Sequence, residues 1–173
     1  GRYFGDAVAV GVDSRILQQR NRRRAAINRI PALRRLVRGR LLYSLVLGPC
    51  ILAANPVHTE VFVDGGLWYS GPIINLIIKN TRVYAADFEF CAATYANDGL
   101  LDLLIFTGQK DYLSRYFLAM RTHPQAIRAA ALRMKPQTAH VQGRHFLIRA
   151  AREEPTQLDG EELPPAREFE ISI

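Results

Sequence analysis

Short β-rich runs, some of them alternating between apolar and polar residues, recur along the chain after Pro56. Strand-like runs of this kind cover residues 57–63, 67–70, 73–78, 83–90, 100–106, 138–141, 144–150, 156–158 and 168–173. A further short strand is expected within residues 1–11. Because alternate side chains of a strand point to opposite faces, the pattern predicts half-buried strands, and the Gly-containing turns between them favour antiparallel pairing. The expected architecture is mainly β, an antiparallel β-sandwich of the α+β class.

A helical insertion interrupts this pattern at about residues 12–54. Apolar residues recur every three to four positions from Val12 to Ile30 and again from Leu33 to Leu45, and Pro31 separates the two stretches. This period predicts two amphipathic helices. The apolar run 41–54 is shorter than the roughly 20 residues that a membrane-spanning helix needs. We therefore expect a helix that is buried or that lies against a membrane surface.

The length of the chain favours one domain. Its 173 residues can bury one core, whereas two complete domains would be cramped. We predict a single domain over residues 1–173, with further helices from an N-cap at Asp111 to Met120 and over residues 124–133. The chain begins at Gly1 without an initiator Met, which leads us to expect a piece of a longer protein.

The positive charge is concentrated in the helical insertion. The net charge is +7, and ten arginines lie between Arg15 and Arg40. Guanidinium groups bind phosphate oxygens through paired hydrogen bonds, so this region favours anionic lipid headgroups or nucleic acid as partners. A solvated helical face is the plainer alternative. Aromatic residues that could stack on bases are not interleaved with the arginines, which makes nucleic acid the less favoured partner.

Most sequence motifs of enzyme chemistry are missing. The chain has no GxxxxGK[ST] phosphate loop, no GxGxxG motif, no Cys/His cluster with zinc-ligand spacing and no nucleophile elbow. Cys50 and Cys91 lie in apolar runs, as expected for buried, reduced thiols of a cytosolic protein. Two acidic turns remain, Asn97-Asp98-Gly99 and Leu158-Asp159-Gly160-Glu161. Each is a hairpin turn on its plainest interpretation, but carboxylates at such turns can also accept a proton or hold a cation.

Five segments in this order match a known arrangement. They are Gly11-Val12-Asp13 after Arg2-Tyr3-Phe4, then Val61–Gly65, Ile77-Ile78-Lys79-Asn80, Asn97–Leu103 and Gln157–Glu161. Together they resemble the C-terminal domain of the diacylglycerol kinase-like lipid kinases, the superfamily that includes sphingosine and ceramide kinases, and in particular its bacterial soluble branch. The chain departs from the family at Ala85-Ala86-Asp87, where a Gly-rich stretch is usual.

The resemblance implies specific roles for the acidic turns. Asp159 would be the general base that takes the proton from a lipid hydroxyl, and Glu161 would help to hold Mg²⁺ and the nucleotide phosphates. Asp98 would bind a structural Mg²⁺ ion together with the main-chain carbonyls of Tyr95 and Leu100. Carboxylates next to a metal and a hydroxyl suit phosphoryl transfer, which depends mainly on positioning and charge neutralisation.

The function implied in this way is the substrate-binding and catalytic-base half of an ATP-dependent lipid kinase acting on a diacylglycerol-like lipid. Its N-terminal ATP-binding domain, absent from this chain, would be the partner that binds most of the ATP. The Arg15–Arg40 region would contact anionic membrane at the inner, cytoplasmic face, and the resemblance also allows a homodimer. Two alternatives stay open: a non-catalytic lipid-binding or regulatory kinase-like domain, and a basic nucleic-acid-binding module.

Overall fold

The computed structural model describes residues 2–28, 40–85, 87–91, 94–120, 125–134 and 139–173. In chain order, the described elements are β1 (Ala7–Gly11), α1 (Val12–Asn28), α2 (Arg40–Leu52), β2 (Val57–Val63), β3 (Gly66–Ile73), β4 (Asn75–Lys79), β5 (Leu101–Phe106), α3 (Gln109–Ala119), α4 (Gln125–Arg133), β6 (His140–Gly143), β7 (His145–Leu158) and β8 (Glu161–Ser172).

All eight strands belong to one antiparallel sheet. The order along the sheet is β3-β2-β7-β1-β4-β5-β6, and β8 pairs with β7. Strand β7 is the centre of this arrangement, because its first half pairs with β2, its last residues pair with β1, and both parts pair with β8. The sheet curls into a half-barrel, which confirms the predicted mainly-β, antiparallel α+β class.

The curl places a separate hydrophobic core on each face of the sheet. The strand-side core joins β4 and β5 to the distant strands β2 and β7, and consists of Val10, Val61, Ile73, Leu76, Ile78, Leu101, Leu103, Ile105, Phe146 and Ile148. The helix-side core contains Ala7, Ala9, Val12, Ile16, Val46, Ile51, Ala54, Ile74, Ile77, Tyr84, Leu104, Phe106, Tyr112 and Tyr116. Because β4 and β5 are covered on both faces, every residue of these two strands is buried.

Gly11 connects β1 directly to α1. Its φ is +100°, and a Cβ added there would lie 2.3 Å from the carbonyl oxygen of Ile74, the residue between β3 and β4. Only glycine fits such a close approach of two backbones. The first half of α1 is buried under this junction, whereas residues 22–26 are exposed.

The helical insertion is confirmed where it is described. The predicted helix from Val12 is observed to Asn28, and a second helix is observed from Arg40. Pro31 and the other residues of 29–39 lie outside the described residues. Within the described part of the chain, the helices contain no segment that is both long enough and apolar enough to cross a bilayer.

The predicted strand over residues 83–90 is wrong. The described residues of this stretch form only two isolated bridges, Tyr84 to Phe88 and Phe88 to Met120. Phe88 and Phe90 instead place their rings edge-on against Tyr116, with centroids 4.9 and 4.8 Å away. The alternating apolar residues therefore complete the helix-side core, and do not extend the sheet.

The two C-terminal strands are much longer than predicted. The runs 144–150 and 156–158 are parts of the single 14-residue strand β7, whose pairing with β8 shifts register between Arg149 and Thr156. Strand β8 begins at Glu161 instead of residue 168. Its first half, Glu-Glu-Leu-Pro-Pro-Ala-Arg, is mostly exposed, so it carries no strong hydrophobic alternation.

Candidate functional site

The turn at Asp159-Gly160 has the conformation that its sequence predicts. The φ angles are +49° at Asp159 and +82° at Gly160. Leu158 at the end of β7 pairs with Glu161 at the start of β8, so the two residues between them form a tight hairpin turn. Asp159 and Glu161 are both exposed.

The Asp159 carboxylate is bound to the segment that precedes β1. Its Oδ2 accepts the backbone N–H of Gly5 at 2.7 Å, and its Oδ1 accepts those of Asp6 at 2.9 Å and Ala7 at 2.8 Å. Burial by itself raises the pKa of Asp159, but the three backbone donors outweigh burial and hold the pKa below its ordinary value of 3.8. Asp159 is therefore ionised at neutral pH.

Close to this turn lies a cavity of about 660 Å³. Aromatic and aliphatic side chains supply much of its lining: Tyr3, Phe4, Val8, Leu101, Leu158, Leu163, Phe169, Ile171 and Ile173. Leu158 immediately precedes Asp159 in the chain. A cavity of several hundred cubic ångströms with apolar walls is typical of small-molecule sites.

The Asp98 turn is close in the chain to a residue that lines the same cavity. Leu101, which lines the cavity, directly follows Leu100 in the chain. Asp98 accepts the backbone N–H of Leu100 on Oδ1 at 2.9 Å, and Gly99 has a φ of +73°. A carboxylate and main-chain carbonyls of Tyr95 and Leu100 would form an all-oxygen donor set, which suits Mg²⁺. The chemistry of these residues is therefore compatible with the metal role that the resemblance implies.

A second turn in the chain is built in the same way as the Asp159 turn. Asp64 and Gly65 connect β2 to β3 with φ angles of +49° and +85°. The Asp64 Oδ1 accepts the backbone N–H groups of Arg144 and His145, both at 2.9 Å, and the Asp64 N–H donates to the His145 carbonyl. Hydrogen bonds from backbone N–H groups to the carboxylate of an Asp-Gly turn therefore occur twice in this fold, and the Asp64 turn is outside the cavity lining.

The motif residue Asp13 is the centre of a buried polar network. Its Oδ1 accepts the hydroxyl of Tyr112 at 2.6 Å, and its Oδ2 accepts Asn75 Nδ2 at 2.9 Å and the hydroxyls of Tyr84 at 3.2 Å and Tyr116. Burial raises the pKa of Asp13, and the four donors oppose that rise.

This network reaches the Asp159 turn through Gln157. The Gln157 side-chain amide donates to the Tyr84 hydroxyl at 3.1 Å. Gln157 lies two residues before Asp159 in the chain. Sequence reasoning treated Asp13 only as part of a motif and overlooked Asn75. The signal that could have found the pair is an Asn directly before the apolar run Leu76-Ile77-Ile78, because such a buried amide needs partners.

The arginine region is only partly described. Arg15 pairs with the buried Glu154 at 2.7 Å, which places it in the structure of the domain. Arg22 and Arg24 are exposed on α1. The remaining arginines of residues 29–39 lie outside the described residues, so membrane contact through this region stays a prediction.

Both cysteines are free, as predicted, although each is half-buried and not fully buried.

Comparison with solved structures identifies the fold. A putative diacylglycerol kinase from Bacillus anthracis str. Sterne superposes with a TM-score of 0.57 at 16% identity, over 98% of this chain and 50% of that one. A second such structure from the same organism gives a TM-score of 0.54 at 14% identity, over 98% and 47%. A third structure, a diacylglycerol kinase of that organism, gives 0.54 at 14%, over 97% and 49%.

The chain therefore spans about half the length of the solved chains that it matches, and it has the diacylglycerol kinase-like fold over that half. This confirms the resemblance drawn from the motifs at the level of the fold. No protein-family model matches the sequence, and no curated protein is significantly similar to it.

Proposed function

We propose that this chain is the substrate-binding half of an ATP-dependent lipid kinase, which phosphorylates a hydroxyl of a diacylglycerol-like lipid. The observation that carries the proposal is the largely apolar cavity of about 660 Å³, whose lining includes Leu158 and Leu101, both close in the chain to the acidic turns. Its walls suit acyl chains, and each buried CH₂ group contributes about 0.8 kcal/mol to binding. The shared fold with structures described as diacylglycerol kinases supports the same function.

In this proposal Asp159 orients the lipid hydroxyl and accepts its proton. An ionised carboxylate offers about four lone-pair positions, and three are used by Gly5, Asp6 and Ala7. Oδ2 accepts only one of these N–H groups, so it retains capacity for a substrate hydroxyl. The lowered pKa of Asp159 makes it a weak base, which phosphoryl transfer tolerates because positioning and charge stabilisation supply most of the catalysis.

The other carboxylates would serve the metal and the nucleotide. Asp98, Tyr95 and Leu100 would hold a structural Mg²⁺ ion, and Glu161 would contribute to the site for Mg²⁺ and the ATP phosphates. When bound, Mg²⁺ neutralises charge on the phosphates. Most contacts to ATP would come from residues outside this chain, since the chain matches only about half of each solved kinase structure.

Membrane contact would bring the cavity to its lipid. Arg22 and Arg24 are exposed on α1, and each basic side chain near an anionic surface contributes about 1 kcal/mol. We place this contact at the inner face of the membrane.

A non-catalytic lipid-binding domain is the second candidate. The specific observation that favours it is the equivalent construction of the Asp64 and Asp159 turns, because a carboxylate that holds backbone N–H groups needs no catalytic role to explain its presence. The same observation supplies a matched control.

The test compares Asp159→Asn with Asp64→Asn in the complete protein. Both substitutions keep the size of the side chain and weaken a similar set of backbone hydrogen bonds. We expect both variants to lose thermal stability, but only Asp159→Asn to lose lipid phosphorylation, by at least about 100-fold in kcat, as for removal of an acid–base group. The measurements are the melting temperature and the turnover of a short-chain diacylglycerol with labelled ATP.

Equal turnover by the two variants at equal stability would contradict the role of Asp159 and favour the non-catalytic candidate. If the inactive Asp159→Asn protein still binds lipid fully, this would support the proposal that the cavity binds the lipid and that Asp159 acts only in the chemical step.

A further inference from the structure

Three side chains of types that bind metals lie close together on one face of β5, and the apolar cavity lies on the opposite face. The ligand atoms of Cys91, Asp102 and His140 all lie within 4.8 Å of one another. Asp102 is on β5 and His140 is on the neighbouring strand β6, while Cys91 comes from the irregular segment between β4 and β5. Asp102 and Leu101 are adjacent in a strand and so point to opposite faces, which separates the cluster from the cavity that Leu101 lines.

The sheet fixes two of the three side chains relative to each other. His140 pairs with Leu104 and Gln142 pairs with Asp102, so Asp102 and His140 are diagonal neighbours on one face. Nε2 of His140 lies 2.5 Å from Oδ1 of Asp102, whose side chain is 1% exposed. A carboxylate buried to this extent needs a charged partner or a metal.

We propose that Cys91, Asp102 and His140 form a binding site for Zn²⁺. A thiolate, an imidazole and a carboxylate are the ligand types that Zn²⁺ takes in proteins, and three of them leave one position of a tetrahedral site for water or another ligand. Zinc-bound ligand atoms lie roughly 3.3–3.6 Å apart, as follows from bond lengths near 2.0–2.3 Å. All three ligand atoms already lie within 4.8 Å of one another, and Zn²⁺ binding would widen the 2.5 Å contact between His140 and Asp102.

A pocket of about 260 Å³ gives access to this site. Cys91 and His140 line it together with Glu89 and Arg115. A fourth zinc ligand could therefore enter from solvent without any rearrangement of the sheet.

Two positive side chains, Lys79 and Arg115, lie near the site, and Lys79 on β4 is paired in register with Asp102. The Lys79 ammonium also donates to the Thr81 carbonyl at 3.0 Å and to the Thr94 hydroxyl at 2.7 Å. Arg115 donates to the Ile105 carbonyl and lies 3.9 Å from Asp111. The Cys91 thiolate and the Asp102 carboxylate together balance the two positive charges of Zn²⁺.

Bound Zn²⁺ would join three parts of the chain that the sheet alone connects weakly. They are the segment 87–91, β5 and the four-residue strand β6. Because the metal binds only the folded arrangement, its binding free energy adds to the stability of this part of the domain.

The experiment measures metal binding by the complete protein in the presence of excess Mg²⁺. Co²⁺ serves as the spectroscopic probe, and Zn²⁺ then displaces it in a competition titration. We expect a thiolate-to-cobalt charge-transfer band and one tightly bound Zn²⁺ at this site. Loss of an outer-shell partner commonly weakens metal binding 10–100-fold, so loss of a ligand in Cys91→Ser or His140→Gln should weaken Zn²⁺ binding by more than about 100-fold.

The chain's other cysteine provides the matched control. Cys50→Ser removes a half-buried thiol outside the cluster and should leave the cobalt band and the zinc affinity unchanged. Circular dichroism shows whether each variant is folded. If Cys91→Ser does not fold, His140→Gln tests the site independently. A cobalt band that persists in Cys91→Ser, or equal zinc affinity of wild type and folded His140→Gln, overturns the proposal.

This inference does not depend on the proposed lipid kinase function, since the cluster and the cavity lie on opposite faces of β5. A variant that loses zinc binding but keeps normal lipid phosphorylation would show that the zinc site and the kinase function are independent. A variant that keeps zinc binding but loses lipid phosphorylation would show the same.

Discussion

At the scale of single residues, the carboxylates of this protein differ by what surrounds them. Asp159 is exposed, and backbone donors lower its pKa, whereas Asp13 is fully buried and its pKa is raised. The sequence placed both in motifs but could not distinguish these environments. The donors to Asp159 come from residues 152–154 positions away, and those to Asp13 from Tyr112 and Tyr116 on α3. Contacts of this range leave no local pattern.

The Asp13 network leads to a prediction about stability and pH. Tyr112→Phe removes the hydroxyl that donates to Asp13 at 2.6 Å, and removing one partner of a buried polar group costs about 1–3 kcal/mol. We expect a loss of this size in urea unfolding at neutral pH. Tyr3→Phe is the control, because Tyr3 is 100% exposed.

The pH dependence of that loss follows from the sign of the pKa shift. Since the folded pKa of Asp13 is raised above 3.8, the native state binds more protons than the unfolded state between these two values. Asp13 therefore costs stability as pH rises through this window. Removing a donor raises the folded pKa further, so the effect of Tyr112→Phe should shrink as pH falls towards 3.8. A loss that is constant with pH would show that the hydroxyl does not stabilise the charged form.

At the scale of elements, local chemistry predicted the strands and turns that are local in origin. The strand Val57–Val63 has its predicted bounds, and the Asp159-Gly160 hairpin has its predicted conformation, because alternation and turn residues specify them directly. The lengths of β7 and β8 were not predicted, since exposed residues pair there without a hydrophobic pattern. Residues 83–90 misled the prediction because their alternating aromatics fill a core between helices.

The junction of β1 and α1 gives the sharpest prediction at this scale. Gly11→Ala would place a Cβ 2.3 Å from the Ile74 carbonyl oxygen at a positive φ, and neither backbone can move without breaking the β1–β4 pairing. We expect a loss of at least about 3 kcal/mol in the free energy of unfolding.

Gly48→Ala is the matched control for this substitution. Gly48 lies inside α2 with open space around its Cα, so alanine should stabilise the helix by about 0.5–1 kcal/mol. Both values come from denaturant unfolding. A cost below about 1 kcal/mol at Gly11 would mean that the close approach to Ile74 is not maintained in solution.

At the scale of the whole molecule, the cavity and the metal-ligating cluster, both proposed binding sites, lie on opposite faces of the sheet. One face of β5 contributes Leu101 to the apolar cavity, and the other contributes Asp102 to the metal-ligating cluster. The motifs led to the fold and to the acidic turns beside the cavity. They did not lead to the cluster, because Cys91, Asp102 and His140 have no recognisable spacing and come together only when β5 pairs with β6.

The cavity supplies the prediction for the whole molecule. Leu163→Trp would fill part of its volume and displace about two methylene groups of a bound acyl chain, which corresponds to roughly a tenfold rise in KM for the lipid. The KM for ATP should not change. Leu67→Trp, on β3 and outside the cavity lining, is the control because Leu67 is already 58% exposed. Kinetics in mixed micelles at varied lipid and ATP would measure both values, and an unchanged lipid KM would exclude this cavity as the acyl site.

The first residues of the chain have two attachments at once. Arg2, Tyr3 and Phe4 form part of the cavity wall, and the next three residues donate their N–H groups to Asp159. A bound lipid that displaces this wall outward would lengthen the hydrogen bonds from these N–H groups to Asp159. The pKa of the Asp159 carboxylate would then rise. Binding in the cavity would then increase the basicity of Asp159, and the six consecutive residues 2–7 would transmit the effect.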